Sequence, residues 1–224
     1  MLAYGLSGPL PGGPFTGHAL RHVCVGMAGP ALLVVARPLT LALRLLPPGG
    51  VRRGLLRAAH SPPAAWLLLP PVAAVADVGG LWALYRAGLA AAAHHRPWLD
   101  GTLHLHKAAA GLLFSSAICQ LDPVRRRRST ALRATTLLLA GTAHAVPAKT
   151  LYATGPPGTA FAADLRAGAQ VMYYGGDAVE VALALVLAVG WYTAAGRRPR
   201  RTGDAARGRR LPAAHARSAA SEVG

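Results

Sequence analysis

The feature that most constrains this chain is a succession of long apolar stretches separated by short clusters of arginine. Hydrophobic residues make up 53% of the 224 residues and charged residues only 14%, whereas about a quarter of a typical soluble domain is charged. This composition excludes a disordered chain and an ordinary water-soluble domain. Because about 20 helical residues cross the apolar core of a bilayer, the pattern predicts an all-α, polytopic transmembrane helical bundle.

Five stretches have the length of a membrane-crossing helix. We expect the spans at about residues 18–43, 63–88, 101–121, 130–149 and 168–195. Either Pro30 or Pro38 should kink the first span. The predicted organisation is an extracytoplasmic segment over residues 1–17, a helical bundle over 18–195 and a basic, disordered cytoplasmic tail over 196–224.

Basic residues lie mainly on one side of these predicted spans. The connections after the first, third and fifth spans carry seventeen Lys and Arg residues, and the opposite side carries four. Because short basic loops stay in the cytoplasm, the N-terminus is predicted outside and the C-terminus inside a bacterial-type plasma membrane. The cytoplasmic arginines also predict contact with anionic lipid head groups. Since topology accounts for the arginines, nucleic acid is not expected as a partner.

Catalytic motifs are missing from the sequence. It contains no acyl-transfer triad, P-loop, GxGxxG or HExxH motif, and its eight acidic residues are too few for a two-carboxylate hydrolase. Cys24 and Cys119 lie in different apolar stretches without CxxC spacing, so neither a disulfide framework nor a zinc site is indicated. We therefore expect a protein that is not an enzyme.

The histidines gather on the predicted outer side. Seven of the nine lie there, namely His18, His22, His94, His95, His104, His106 and His144. His18 and His22 are four residues apart and share one helix face, and Asp100 and His104 repeat that interval. Neutral imidazole is a common ligand of copper, zinc and haem iron. The alternative is that these histidines are simply polar groups in the headgroup zone.

Methionines and carboxylates lie at a similar depth. Thioether sulfur suits Cu(I), and Met172 is the expected ligand because Met27, five residues after His22, is about 140° away on an α-helix. Three acidic residues lie within apolar stretches, namely Asp77, Asp177 and Glu180. A charge at that depth is costly unless it is paired or protonated. These carboxylates either serve a function or form a hydrogen bond to a neighbouring group.

Four motifs follow one another in a familiar order. They are His18-Ala-Leu-Arg-His22 with Ala28-Gly29-Pro30 and the run from Arg37 to Arg44, then His104 through Gly111-Leu-Leu-Phe114 to Asp122-Pro123, then Ala143-His144-Ala145, and finally Asp164 through Met172 to Gly175-Gly176-Asp177. Over about residues 15 to 195 the chain resembles the CtaG family, the membrane assembly factors for caa3-type cytochrome c oxidase. It resembles a shortened member, because family members usually have further spans ahead of the HxxxH helix.

The family motifs are degenerate at several positions. Arg21 stands where the family has glutamine, Leu103 where it has glutamate, and Asp100 where it has histidine. The segment Ser115-Ser116-Ala117 replaces the family's Trp-Trp-Pro.

The resemblance implies a role in maturing a haem-copper oxidase, by delivering copper to its buried binuclear centre, with oxidase subunits as partners. On this basis we expect copper to be bound by His18, His22, His104, His144 and, as a supplementary ligand, Met172. We expect Asp100, Asp164 and Asp177 to orient the imidazoles or to take up released protons. Two alternatives stay open: a b-type haem protein with His22 and His144 as axial ligands, and a metal-free assembly scaffold.

Overall fold

All regular secondary structure in the described part of the chain is helical, as predicted. The structure, a computed structural model, describes residues 13–86, 96–123, 125–154 and 162–221. Its helices, numbered in chain order, are α1 (Pro14–Arg21), a π-helical segment (His22–Ala28), α2 (Gly29–Val35), α3 (Pro38–Leu45), α4 (Gly50–Ala59), α5 (Pro62–Leu67), α6 (Pro70–Arg86), α7 (Pro97–Cys119), α8 (Thr130–Thr154) and α9 (Ala162–Ser221).

The first predicted span is interrupted. The elements α1, the π-helical segment and α2 form one continuous helix, Pro14–Val35. The chain then breaks at Arg37, whose φ of 53° and ψ of 61° are left-handed, and α3 begins at Pro38. Proline disfavours the helical conformation in the residue before it, which explains a break here instead of the predicted kink.

The second predicted span is also divided. α5 ends at Leu67 and α6 begins at Pro70, because the adjacent prolines Pro70 and Pro71 cannot continue a helix that is already under way. α7 begins four residues before the third predicted span and ends two residues before that span does, whereas α8 covers the fourth predicted span and continues five residues beyond it. α8 passes through Pro147 without a break.

Two helices in the described ranges are long and apolar enough to cross a membrane, Pro14–Val35 and Ala163–Gly196. The first begins four residues before the first predicted span and ends inside it, and the second includes the whole of the fifth predicted span. α6 has only 17 residues, fewer than the roughly 20 that a crossing needs. The number of spans and their orientation therefore stay predictions, while the two apolar helices support a membrane protein.

Two aspartates cap helices that begin with the same tripeptide pattern, Pro-x-Thr. The Asp164 carboxylate accepts hydrogen bonds from the Thr16 hydroxyl (2.6 Å), the Thr16 N–H (3.1 Å) and the Phe15 N–H (2.8 Å) at the start of α1. The Asp122 carboxylate accepts from the Thr40 hydroxyl (2.6 Å) and N–H (2.9 Å) at the start of α3. Each aspartate therefore supplies the cap that the chain before the proline does not.

α7 lies at the centre of the bundle. It packs against α2, the π-helical segment, α6 and α8. A separate buried cluster joins the first helix to α6, α8 and α9 through small and apolar side chains, namely Ala19, Leu81, Ala148, Leu151, Ala169 and Met172. Small residues in these contacts let the helices approach closely, as is usual where lipid surrounds a bundle.

The chain divides into two compact units, residues 1–185 and 186–224. The first contains the helical bundle. In the second, α9 continues to Ser221, and the side chains of Val189, Trp191 and Tyr192 are exposed. The predicted boundary at residue 196 falls inside α9, and the disorder predicted for residues 196–224 stays a prediction.

Candidate metal centre

The π-helical segment places His22 and Met27 on one face of the first helix. Its hydrogen bonds span five residues, as in the bond from the Gly29 N–H to the Cys24 carbonyl. Residues five apart are about 140° apart on an α-helix, but the wider π-helical turn makes that angle much smaller. Both side chains line the same cavity. The angle that favoured Met172 over Met27 therefore does not apply here.

A glycine contact fixes the position of this segment. Pro30 has no N–H and cannot donate to the carbonyl of Gly26, four residues earlier. That carbonyl faces Gly111 of α7 so closely that a Cβ at position 111 would overlap it. The absence of a side chain at Gly111 thus allows the first helix to lie directly against α7.

His22 and His144 meet inside the bundle. Their rings are stacked, with centroids 5.9 Å apart and planes inclined by 24°. The residues are only 8% and 5% exposed. Next to His144, the Trp82 indole N–H donates to the Ala143 carbonyl at 3.0 Å, which ties α6 to α8 at the level of the rings.

The two imidazoles face a small cavity of about 20 Å³. Such a volume holds about one water-sized species. The cavity is lined by side chains from the first helix, α6, α7, α8 and α9, namely His22, Met27, Asp77, Val78, Leu81, Phe114, Ala140, His144 and Glu180. Two imidazoles, a thioether and two carboxylates are therefore the polar or soft groups at its wall.

Three imidazole nitrogens are buried without a hydrogen-bond partner among the described residues. They are Nδ1 and Nε2 of His22 and Nε2 of His144. The remaining nitrogen, Nδ1 of His144, lies 3.7 Å from Oε1 of Glu180. Since buried polar atoms are nearly always paired, such unpaired nitrogens at a cavity need an explanation, and a bound metal ion is one.

Glycines on α8 and α9 make room for the His144 ring and the Glu180 carboxylate. A Cβ at Gly176 would lie 2.7 Å from Nδ1 of His144, and a Cβ at Gly141 would overlap the Glu180 carboxylate. Gly175 beside it faces Val23 of the first helix. Gly176 therefore makes room for the His144 ring, whereas Gly175 allows close packing against the first helix.

The other predicted histidines lie apart from the cavity wall. His18, His104 and Lys107 interact electrostatically with His22 but do not line the cavity. Within the described ranges, no three His, Cys, Asp or Glu side chains are arranged to hold a metal ion. The structure thus brings together two of the four predicted histidine ligands. His94, His95 and the side chain of Asp100 lie outside the described residues.

The remaining predicted site residues have other surroundings. Met172 is fully buried in the apolar cluster with Ala19 and Leu81, and it does not line the cavity. Asp164 caps α1. Asp177 interacts electrostatically with His144, while the closest carboxylate contact to that ring comes from Glu180.

Sequence reasoning missed Met27, Asp77 and Glu180 as members of one site. The glycine and proline after His22 could have signalled an irregular helix, but nothing in the sequence specified a π-helical turn. Asp77 and Glu180 were recognised as intramembrane carboxylates, yet their common cavity depends on how α6 and α9 pack.

Comparison with known proteins shows a match over most of the chain. The family model described as cytochrome c oxidase caa3 assembly factor matches residues 8–194. Uncharacterised proteins of Mycobacterium bovis and Mycobacterium tuberculosis are each 34% identical over 119 residues, which is 50% of this chain and 18% of theirs. The chain thus spans less than a fifth of those relatives. No solved structure matches.

Proposed function

The chain belongs to the cytochrome c oxidase caa3 assembly factor family, and from this premise we propose that it carries copper for a haem-copper oxidase in the cavity between His22 and His144. The copper ion is cargo, which the protein takes up and hands to an oxidase subunit. The protein's own role is then non-catalytic.

The unpaired nitrogens of the two stacked imidazoles carry this proposal. Leaving a polar group buried and unpaired costs about 1–3 kcal/mol, and a metal ion bound by one lone-pair nitrogen of each ring offsets that cost for two of the three nitrogens. Neutral imidazole and thioether sulfur both suit copper, and Met27 supplies the sulfur at the same wall. Glu180 stands where a carboxylate orients the His144 ring, leaving Nε2 towards the ion.

The small donor set suits transfer better than storage. A carrier must release its ion, and two imidazoles with one thioether leave coordination positions open for a ligand of the recipient. His18 and His104 interact electrostatically with His22 and are candidates for passing the ion to and from the cavity.

The size of the cavity favours an ion over haem b. A space of about 20 Å³ accommodates one atom-sized species, whereas a haem needs a slot between its axial ligands wide enough for the whole macrocycle. The rings of His22 and His144 are stacked with centroids 5.9 Å apart, and a macrocycle does not fit into that separation.

We further propose five membrane crossings, with the N-terminus outside and the C-terminus in the cytoplasm of a bacterial-type plasma membrane. The arginine distribution and the two long apolar helices support this arrangement. It places the cavity towards the outer side. To test it, we would introduce a cysteine in place of Arg126 or of Lys149, as the one cysteine of the chain, and treat intact cells with a membrane-impermeant maleimide. Only the cysteine at position 149 should be modified.

Copper binding by purified protein tests the function. We would titrate Cu(I) without oxygen against the competing chelator bicinchoninate, comparing wild type with His22→Gln, His144→Gln and the control His106→Gln. His106 packs against Gly80 and does not line the cavity. We expect one Cu(I) per chain in wild type and His106→Gln, and at least tenfold weaker binding in the other two.

Equal binding by all four proteins would overturn the assignment of the ligands. A haem absorption band in wild type that disappears in His22→Gln would instead support the haem alternative. Oxidase maturation in cells distinguishes a copper carrier from a metal-free scaffold. If cells carrying the His22→Gln and His144→Gln changes still assemble an oxidase with a full complement of copper, the protein acts as a metal-free scaffold.

A further inference from the structure

A second recess lies between α8 and α9 and shares no lining residue with the candidate metal centre. It is an open groove of about 370 Å³, within the size range of small-molecule sites. Its floor consists of Ala148 and Ala169, each about 1% exposed. Its rim consists of Lys149, Tyr152, Gln170, Tyr173 and Tyr174.

The two helices build this groove from the same pattern. On α8, Ala148 is followed by Lys149 and, one turn later, by Tyr152; on α9, Ala169 is followed by Gln170 and, one turn later, by Tyr173. Residues at positions i and i+4 share a helix face, so each helix presents a small residue at the floor and a phenol at the rim. The small side chains give the groove its depth.

The rim is rich in hydrogen-bond donors and carries a positive charge. Nζ of Lys149 lies 5.3 Å from the centroid of the Tyr173 ring, a cation–π distance, and Tyr174 meets Tyr173 edge to face with centroids 5.2 Å apart. These contacts hold the ammonium group at the groove. Within the part of the chain that the structure describes, the lining contains an ammonium, an amide and three phenols but no carboxylate. This chemistry recognises an anion with several acceptor oxygens.

The position of the groove indicates where such an anion comes from. α9 is one of the two helices long and apolar enough to cross the membrane, and the groove lies within the first turns of that apolar stretch. Tyrosine and lysine near the end of a membrane-crossing helix lie at the level of the lipid head groups. The groove is open, and its lining among the described residues comes from α8 and α9, so a lipid can enter it from the side.

We propose that this groove binds the head group of an anionic phospholipid. The phosphate accepts hydrogen bonds from Lys149 and the tyrosine hydroxyls, and the glycerol and first methylenes lie on the alanine floor. This site is independent of the proposed copper function, and it lies on the opposite side of the predicted membrane from the arginine clusters.

Native mass spectrometry of the full chain in detergent tests this proposal. We would add phosphatidylglycerol, phosphatidylcholine or inorganic phosphate to wild type, Lys149→Gln, Lys149→Arg and the control Arg166→Gln. Arg166 is an exposed residue at the start of α9 that does not line the groove. We expect wild type to bind phosphatidylglycerol at least fivefold more tightly than phosphatidylcholine, with that preference lost in Lys149→Gln and kept in Lys149→Arg and Arg166→Gln.

Three results would overturn the proposal. They are equal binding of the two lipids by wild type, equal losses in Lys149→Gln and Arg166→Gln, and displacement of the lipid by inorganic phosphate at a similar concentration, which would make it a site for free phosphate. Should Lys149→Gln fail to fold, Tyr152→Phe with Tyr174→Phe removes two exposed donors instead, and unchanged lipid preference would count equally against the site. Cu(I) affinity should stay the same in all these variants.

Discussion

The capping aspartates and the paired histidines are polar groups of the same bundle, but the aspartates are fully hydrogen-bonded and the histidines largely are not. Asp164 and Asp122 each accept three hydrogen bonds from the start of a helix. His22 and His144 are more deeply buried, yet three of their four ring nitrogens have no partner among the described residues. A satisfied carboxylate stabilises the fold. An unsatisfied imidazole at a cavity costs stability and is accounted for by a ligand.

The largest effect should come from removing both imidazoles. We expect His22→Leu with His144→Leu to weaken Cu(I) binding by about 100-fold, near 3 kcal/mol, while the free energy of unfolding stays equal or rises, because buried polar groups without partners are lost. Chelator competition and thermal unfolding measure the two quantities. A large decrease in the free energy of unfolding would instead show that the histidines, like the capping aspartates, stabilise the fold.

A smaller effect should follow when the ring is displaced without being removed. In Gly176→Ala the new methyl group overlaps the His144 ring, so we expect Cu(I) binding to weaken about tenfold, near 1.4 kcal/mol. Gly190→Ala is the matched control on the same helix, since a Cβ there meets nothing within 4 Å. Identical Cu(I) affinities for the two variants would contradict the close packing of His144 on α9.

The capping aspartates should show the reverse behaviour. We expect Asp164→Ala to lower the free energy of unfolding by about 1 kcal/mol through loss of the α1 cap, with Cu(I) affinity unchanged. Denaturation of detergent-purified protein measures the first, and Thr16→Val is a second variant that removes one of the same hydrogen bonds. If Asp164→Ala weakens Cu(I) binding instead, the aspartate orients a ligand, as its sequence position predicts.

The smallest effect should distinguish the two methionines. Met27→Leu should weaken Cu(I) binding by about threefold through loss of the thioether, and Met172→Leu should leave it unchanged, since leucine conserves volume in the apolar cluster. X-ray absorption of the Cu(I) complex provides a direct check, because a sulfur ligand should vanish only in Met27→Leu. If the sulfur ligand instead disappears only in Met172→Leu, Met172 is the ligand.

Much of the architecture followed from composition and local rules. The apolar stretches predicted helices, and α7 and α8 lie where the third and fourth stretches do. The family motifs predicted the membership that the family model shows over residues 8–194. The break at Arg37 was harder to foresee, since proline permits either a kink or a full stop. The Asp122 cap on α3, which favours the stop, comes from 82 residues further along the chain.

The composition and spacing of the sequence alone determined the helical class, the family and the histidines as candidate ligands. They did so because hydrophobic length and residue type are local properties. Only the tertiary structure decided which residues share the cavity. The α-helical angle disfavoured Met27, and a π-helical turn beside the Gly26–Gly111 contact brings it to the same cavity wall as His22. Glu180 reaches His144 because Gly141 and Gly176 let α8 and α9 approach, and such contacts between helices have no signature in either helix by itself.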